Sequence, residues 1–222
     1  LSPYLPISGT WDTLIASKSK KFRYKVRKRR EWLSSQPAAR IVWFGKNSDT
    51  SKLMEDMLQI ESMSWKAKEG RDINSRPIER EYYRALLPML QSLDSLLGNI
   101  LYIDDQPVAY NLCCHFEGWV GQMKTSFDER FGDLSPGSLV IDLAVQAAFD
   151  YEATEFDFLG DSAVHKLLWT DQSRATLACQ MFGSTFRGRL ASTVKRVTLL
   201  SRRLRDGRMA TQAPAVTFST EE

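Results

Sequence analysis

The chain of 222 residues is 43% hydrophobic and 26% charged, with a formal net charge of +3. That length supports one substantial core or at most two small ones, and the composition is ordinary for a soluble protein. No run of 18 or more apolar residues occurs, so no transmembrane helix is expected.

From the N-terminus, residues 1–9 contain Pro and Ser and read as extended. A helix is predicted over 10–34 with a break near Ser19, and Pro37 stops it. Residues 39–44 (ARIVWF) read as a strand. Asp49 or Thr50 caps a helix to about Lys68, in which Leu53, Met57 and Ile60 recur at helical spacing. After a polar loop, Pro77 opens a helix that runs to about Leu97. Strands at 99–103, 107–117 and 119–127, joined by short turns, read as an antiparallel meander. A loop leads into a helix from Leu139 to Tyr151. A strand at 155–159, a short helix at 162–169, a strand at 174–182 and a basic helix at 187–206 follow. The tail from Met209 is expected to be disordered.

The chain begins at Leu1 without a signal-peptide pattern, so its natural start is expected upstream. Cys113, Cys114 and Cys179 give neither a disulfide framework nor a metal spacing and point to a reducing, cytoplasmic compartment. The small net charge hides a segregation. Residues 18–30 hold nine basic side chains and no acid, residues 187–208 hold eight and one acid, and the span between carries 13 basic against 23 acidic. The first run suits a nucleic acid, a membrane surface or another polyanion, and it suits equally well packing against the acidic middle of the same chain.

The most informative stretch lies between the strand at 119–127 and the helix that follows. Ser135, Pro136, Gly137, Ser138 and Leu139 stand at the helix start. Backbone N–H groups there have no partner inside the helix and carry the positive end of its dipole, which makes an anion site. The same residues also make an ordinary helix cap with proline in the first turn.

From residue 99 on, the order is strand, strand, strand, phosphate-type loop, helix, strand, helix, strand. This order resembles the GNAT acyltransferase core, and more closely the CelD/BcsL-like branch related to FemAB-type proteins. Leu101–Asp104, Pro107–Ala109, Phe127–Asp128, Ser135–Gly137, Phe156–Asp161 and Lys166–Trp169 carry the resemblance, which covers about residues 10–185. It implies an α/β fold with a mixed, mostly antiparallel sheet flanked by helices. Residues 1–38 would be a basic helical extension, the end of an N-terminal half that the chain lacks, residues 39–208 the acyltransferase domain and 209–222 a tail. It also implies acetyl-CoA or another acyl-CoA as co-substrate. The loop at 135–139 would grip its pyrophosphate, and strand ends including Lys124 and Thr125 would accept its pantetheine arm. The loop departs from the family pattern in having Gly137 as its main glycine, and His165 stands where many relatives have Tyr.

N-acylation needs a thioester held beside an amine, a base for the amine, and stabilisation of an oxyanion. Candidate bases are Asp157, Asp161, His165 and Glu117. Asp161 follows a strand end where a cleft would open, and a helix cap is its competing role. Asp157 alternates with Phe156 and Phe158 on the opposite strand face, where a structural hydrogen bond competes. Histidine exchanges protons near neutral pH, although a packed or surface role also fits. Glu117 reads as a turn residue. Lys166 is either a solvated lysine or a cation for a phosphate, a carboxylate or developing negative charge. Two isolated histidines make no metal site. The resulting reading is an acyl-CoA-dependent N-acyltransferase. Its acceptor, by resemblance, is a small amine, an amino sugar or a polysaccharide precursor. The rivals are a FemAB-type aminoacyltransferase using charged tRNA and a binding module without turnover.

Overall fold

The computed structural model describes residues 1–160, 163–176 and 182–210. The expectations for Asp161, Cys179 and the tail beyond Ala210 fall outside them. Residues 1–176 make one compact unit and residues 177–222 a second.

The first unit is built on seven strands: β1 (Ser2–Pro6), β2 (Ala39–Phe44), β3 (Leu96–Ile103), β4 (Gln106–Phe116), β5 (Trp119–Phe127), β6 (Glu155–Asp157) and β7 (Ser173–Arg174). Their order in the sheet is β2-β3-β4-β5-β6-β1-β7, and every pairing is antiparallel except that of β5 with β6. Seven helices accompany them: α1 (Trp11–Ser17), α2 (Lys20–Ser35), α3 (Thr50–Ser62), α4 (Trp65–Lys68), α5 (Pro77–Ser92), α6 (Pro136–Asp150) and α7 (Val164–Leu167).

Strand alternation decides which helix covers which face. Leu96, Ile100, Tyr102, Tyr110 and Leu112 point to one face, where Leu53, Met57 and Ile60 of α3 and Leu87 and Leu90 of α5 cover them. Leu97, Cys113 and Val120 point to the other face and meet Phe22 and Val26 of α2 and Ile141, Ala144 and Val145 of α6. Leu101 and Ala109 extend that layer against Leu139 and Val140. Each large side chain buried this fully contributes roughly 1.5–3 kcal/mol.

The break expected near Ser19 is real: its hydroxyl accepts from Phe22 N–H and starts α2. Other expectations are refined by the fold. The helix from Pro77 ends at Ser92 because Asp94 adopts a left-handed conformation (φ 54°), and Leu96 and Leu97 begin β3. The N-terminus is extended as expected and belongs to the sheet, where β1 inserts between β6 and β7. The strand expected at 174–182 is described only at Ser173–Arg174. In the second unit, α8 (Phe186–Ala210) is the expected basic helix. No helix among the described residues is long and apolar enough to cross a membrane.

Candidate functional site

Two neighbouring strands part at the centre of the sheet. β6 pairs with β5 only at Trp119, Val120 and Gly121. The chain then leaves the sheet: Phe158 N–H donates to Pro3 O (3.0 Å), and Leu159 (φ 47°) and Gly160 (φ 68°) turn left-handed. Asp157 and Lys166 hold this turn. The Asp157 carboxylate accepts from Leu159 N–H (2.8 Å) and Ser2 Oγ (3.0 Å), and Lys166 Nζ donates to Leu159 O (2.5 Å). On the other side, one extra residue in β5, Met123, shifts the register against β4. Such a bulge bends its strand. The edge of β5 from Gln122 to Phe127 is left without a strand neighbour among the described residues.

A cleft of about 460 Å³ lies against this open edge. Thr125, Ser126 and Phe127 form its strand wall, and Gly137, Ser138 and Ile141 come from α6. Trp65 and Lys66 of α4, Phe22 of α2, and His165, Leu168 and Trp169 close it. Trp169 is buried and meets Phe22 edge to face at 4.9 Å. Lys66 and His165 are the two titratable side chains in the lining.

Lys66 Nζ donates to Thr125 O (2.8 Å) and to Glu61 Oε1 (3.0 Å). Burial lowers the Lys66 pKa, and the Glu61 carboxylate opposes that shift. Glu61 is fully buried, and its carboxylate also accepts from Tyr110 Oη–H (2.8 Å) and Ile73 N–H (3.2 Å), with Lys124 Nζ at 3.9 Å. Since Thr125 O faces the opening, Thr125 N–H faces it as well, because both groups of one strand residue project to the same side. Ser126 Oγ is buried with no hydrogen-bond partner among the described residues.

The helix start offers less than its sequence promised. Ser135 is left-handed (φ 53°), and its carbonyl accepts from both Ser138 N–H (3.0 Å) and Leu139 N–H (3.1 Å). Pro136 has no N–H, so Gly137 N–H is the first-turn amide left without an acceptor among the described residues. Leu139 is wholly buried in the core, and Ser135 is exposed outside the cleft lining. Of the five residues expected at the loop, Gly137 and Ser138 line the cleft.

Other expected positions lie apart from the cleft. Lys124 points to the opposite face of the sheet, where it pairs with Glu79 (2.7 Å). Asp157 and Lys166 are engaged in the turn described above, and Glu117 occupies a left-handed turn (φ 45°). Of the base candidates in the described residues, the structure brings only His165 to the cleft. Sequence reasoning missed Trp65, Lys66 and Ser126. No local signal marks them, because Lys66 meets Thr125 across 59 positions of chain.

A mostly antiparallel sheet, opened between one parallel pair beside a helix start, is the architecture of acyltransferases of the GNAT class. The sequence matches the family described as acetyltransferase (GNAT) domain over residues 20–167, and the chain belongs to that family. Among solved structures it is similar to FemX, with a TM-score of 0.57 and 12% identity over 73% of this chain and 53% of FemX. The chain therefore spans about half the length of FemX. A looser likeness, with a TM-score of 0.41 and 12% identity over 51% of this chain and 75% of the other, is to the PaiA N-acetyltransferase of Thermoplasma acidophilum, solved with coenzyme A. No curated protein gives a significant match.

Proposed function

We propose that the chain moves an acyl group from an acyl-CoA thioester to a primary amine in the cleft beside β5. The observation that carries this reading is the end of β5–β6 pairing at Gly121, which leaves a strand edge and a helix start facing one cavity. The residues present fit such a donor. Ser126 Oγ is buried and unpartnered, Gly137 N–H lacks an acceptor, and a Cβ at Gly137 would stand 2.9 Å from Phe127 Cδ1. Main-chain groups of Thr125 would hold an amide-bearing arm in the manner of an added strand. Gly137 N–H and Ser138 would face a diphosphate.

The bound donor supplies an activated acyl carbon. The protein supplies position and proton transfer. His165, at the cleft wall, takes the proton released as the amine attacks. Lys66, fixed on Thr125 O, brings positive charge to the strand wall, where it favours developing negative charge. Asp161 keeps its candidacy as base. The acceptor we read as an amine carried on a sugar, because Trp65 offers a flat apolar face in the lining and the family resemblance leads the same way. A polysaccharide precursor in the cytoplasm would meet that description.

Calorimetry with acetyl-CoA, followed by a thiol-release assay with amino sugars, tests this reading. Binding of acetyl-CoA and amine-dependent release of CoA are the expected results. Failure to bind acetyl-CoA overturns it, and binding of charged tRNA in its place would identify an aminoacyltransferase.

A further inference from the structure

The fold sorts the nine cations of residues 18–30 into two groups. Five have a carbonyl, a carboxylate or the Trp11 ring as partner within the chain, and Lys28 Nζ lies 5.7 Å from the Tyr24 ring centroid. Lys18 Nζ donates to Trp169 O, and the Arg23 guanidinium donates to Lys18 O (2.7 Å) and Ala16 O (3.0 Å). Arg27 pairs with Glu31 (3.3 Å), Arg29 with Asp142 (2.6 Å), and Arg30 lies 4.7 Å from the Trp11 ring centroid. Lys20, Lys21, Lys25 and Lys28 have no carboxylate partner among the described residues.

Lys25 and Lys28 are a turn apart and line one groove together with Tyr24, whose ring is half exposed. The groove measures about 590 Å³, and Asp133, Leu134 and Ser135 form its opposite wall. It begins where the cleft ends. Ser135 belongs to the groove, while Gly137 and Ser138 belong to the cleft. On α2, Phe22 faces the cleft, and Tyr24 and Lys25 face the groove.

We propose that this groove takes the nucleotide end of the acyl donor, with Lys25 and Lys28 binding the phosphate on its ribose and Tyr24 stacking on its base. The inference rests on the reading of the cleft as the donor site. Two neighbouring ammonium groups without counter-ions suit a doubly charged phosphate monoester. The carboxylates of the groove do not compete for them: Glu31 is turned to Arg27, and Asp133 stands on the far wall, which directs an anion toward α2. A polynucleotide fits less well. It needs successive stacking residues, and of the two aromatic side chains in this run Phe22 is buried.

Calorimetry with CoA and 3′-dephospho-CoA tests the assignment on the unaltered chain and on the Lys25→Ala/Lys28→Ala double variant. The unaltered chain is expected to bind CoA about tenfold more tightly than the dephospho form, and the variant to bind both with the weaker affinity. Both lysines are exposed, so the two proteins should melt together. Discrimination kept by the variant, or absent from the unaltered chain, overturns the groove assignment and leaves the cleft reading standing. Binding of neither ligand overturns both. Binding of tRNA that disappears in the variant, with CoA discrimination untouched, gives the groove to a nucleic acid instead.

Discussion

Gly137, the second residue of α6, lies so close to the ring of Phe127 at the end of β5 that a Cβ there would come within 2.9 Å of Phe127 Cδ1. Strand end and helix start therefore meet with no room for a side chain, and Gly137, whose N–H has no acceptor among the described residues, lines the cleft. Gly137→Ala forces the ring or the helix start to move. Acetyl-CoA affinity is expected to fall about tenfold, or ~1.4 kcal/mol. Calorimetry beside a thermal melt checks this, and unchanged affinity removes the helix start from the donor site.

His165→Ala is expected to lower kcat by about a hundredfold or more, within the range for loss of a general base. The Kd for acetyl-CoA should stay the same. A parallel loss of donor affinity would mean that the imidazole shapes the cleft and moves no proton.

Asp157 gives the opposite expectation. Its carboxylate holds Leu159 N–H and Ser2 Oγ in a buried setting. Asp157→Ala should cost about 1–3 kcal/mol in urea unfolding, because a buried donor loses its acceptor. Asp157→Asn should keep turnover within about threefold, since an amide oxygen still accepts from both donors. A stable Asn variant without activity would return Asp157 to the chemistry.

Arg29 Nε donates to Asp142 Oδ2 (2.6 Å) and ties α2 to α6. Burial raises the Asp142 carboxyl to a pKa of about 6, against the pull of Arg29. The folded value lies above the unfolded one, so the folded chain holds this proton more tightly. Its contribution to stability is therefore present at low pH, declines between about pH 4 and pH 6, and is level above that. Asp142→Asn should remove this slope in melts recorded from pH 4 to 7. Arg29→Ala, which strands a buried carboxylate, should cost about 3–5 kcal/mol at neutral pH and less at pH 5.

The expected site at β5 shows where pattern reading stops. Both bounds of β5 were legible from its apolar spacing and flanking turns. The faces of its residues were not. Gln122 bonds to Asn111 on the α6 side, whereas Lys124, two positions on, pairs with Glu79 on the α5 side. Regular alternation would put both on one face. The extra residue Met123 reverses the parity of everything after it, and only pairing with β4 reveals a bulge. Lys124 thus reads as a cleft residue in sequence and is a buried ion-pair partner in the fold.

The N-terminal run shows the complementary case. Its charge density was plain, but which of its cations are engaged and which lysines lack a carboxylate partner among the described residues depends on carbonyls and carboxylates up to 151 positions away. Residues close in sequence fix helix caps, turns and the order of elements, because those forces act within a few residues. That order was enough to place the chain in its family and to point to the helix start at Gly137. The splayed strand edge, the inward turn of the Ser138 and Leu139 amides, and the presence of His165 and Lys66 in one cleft lining came only from the folded chain. They depend on register and on contacts between distant segments, which no local pattern encodes.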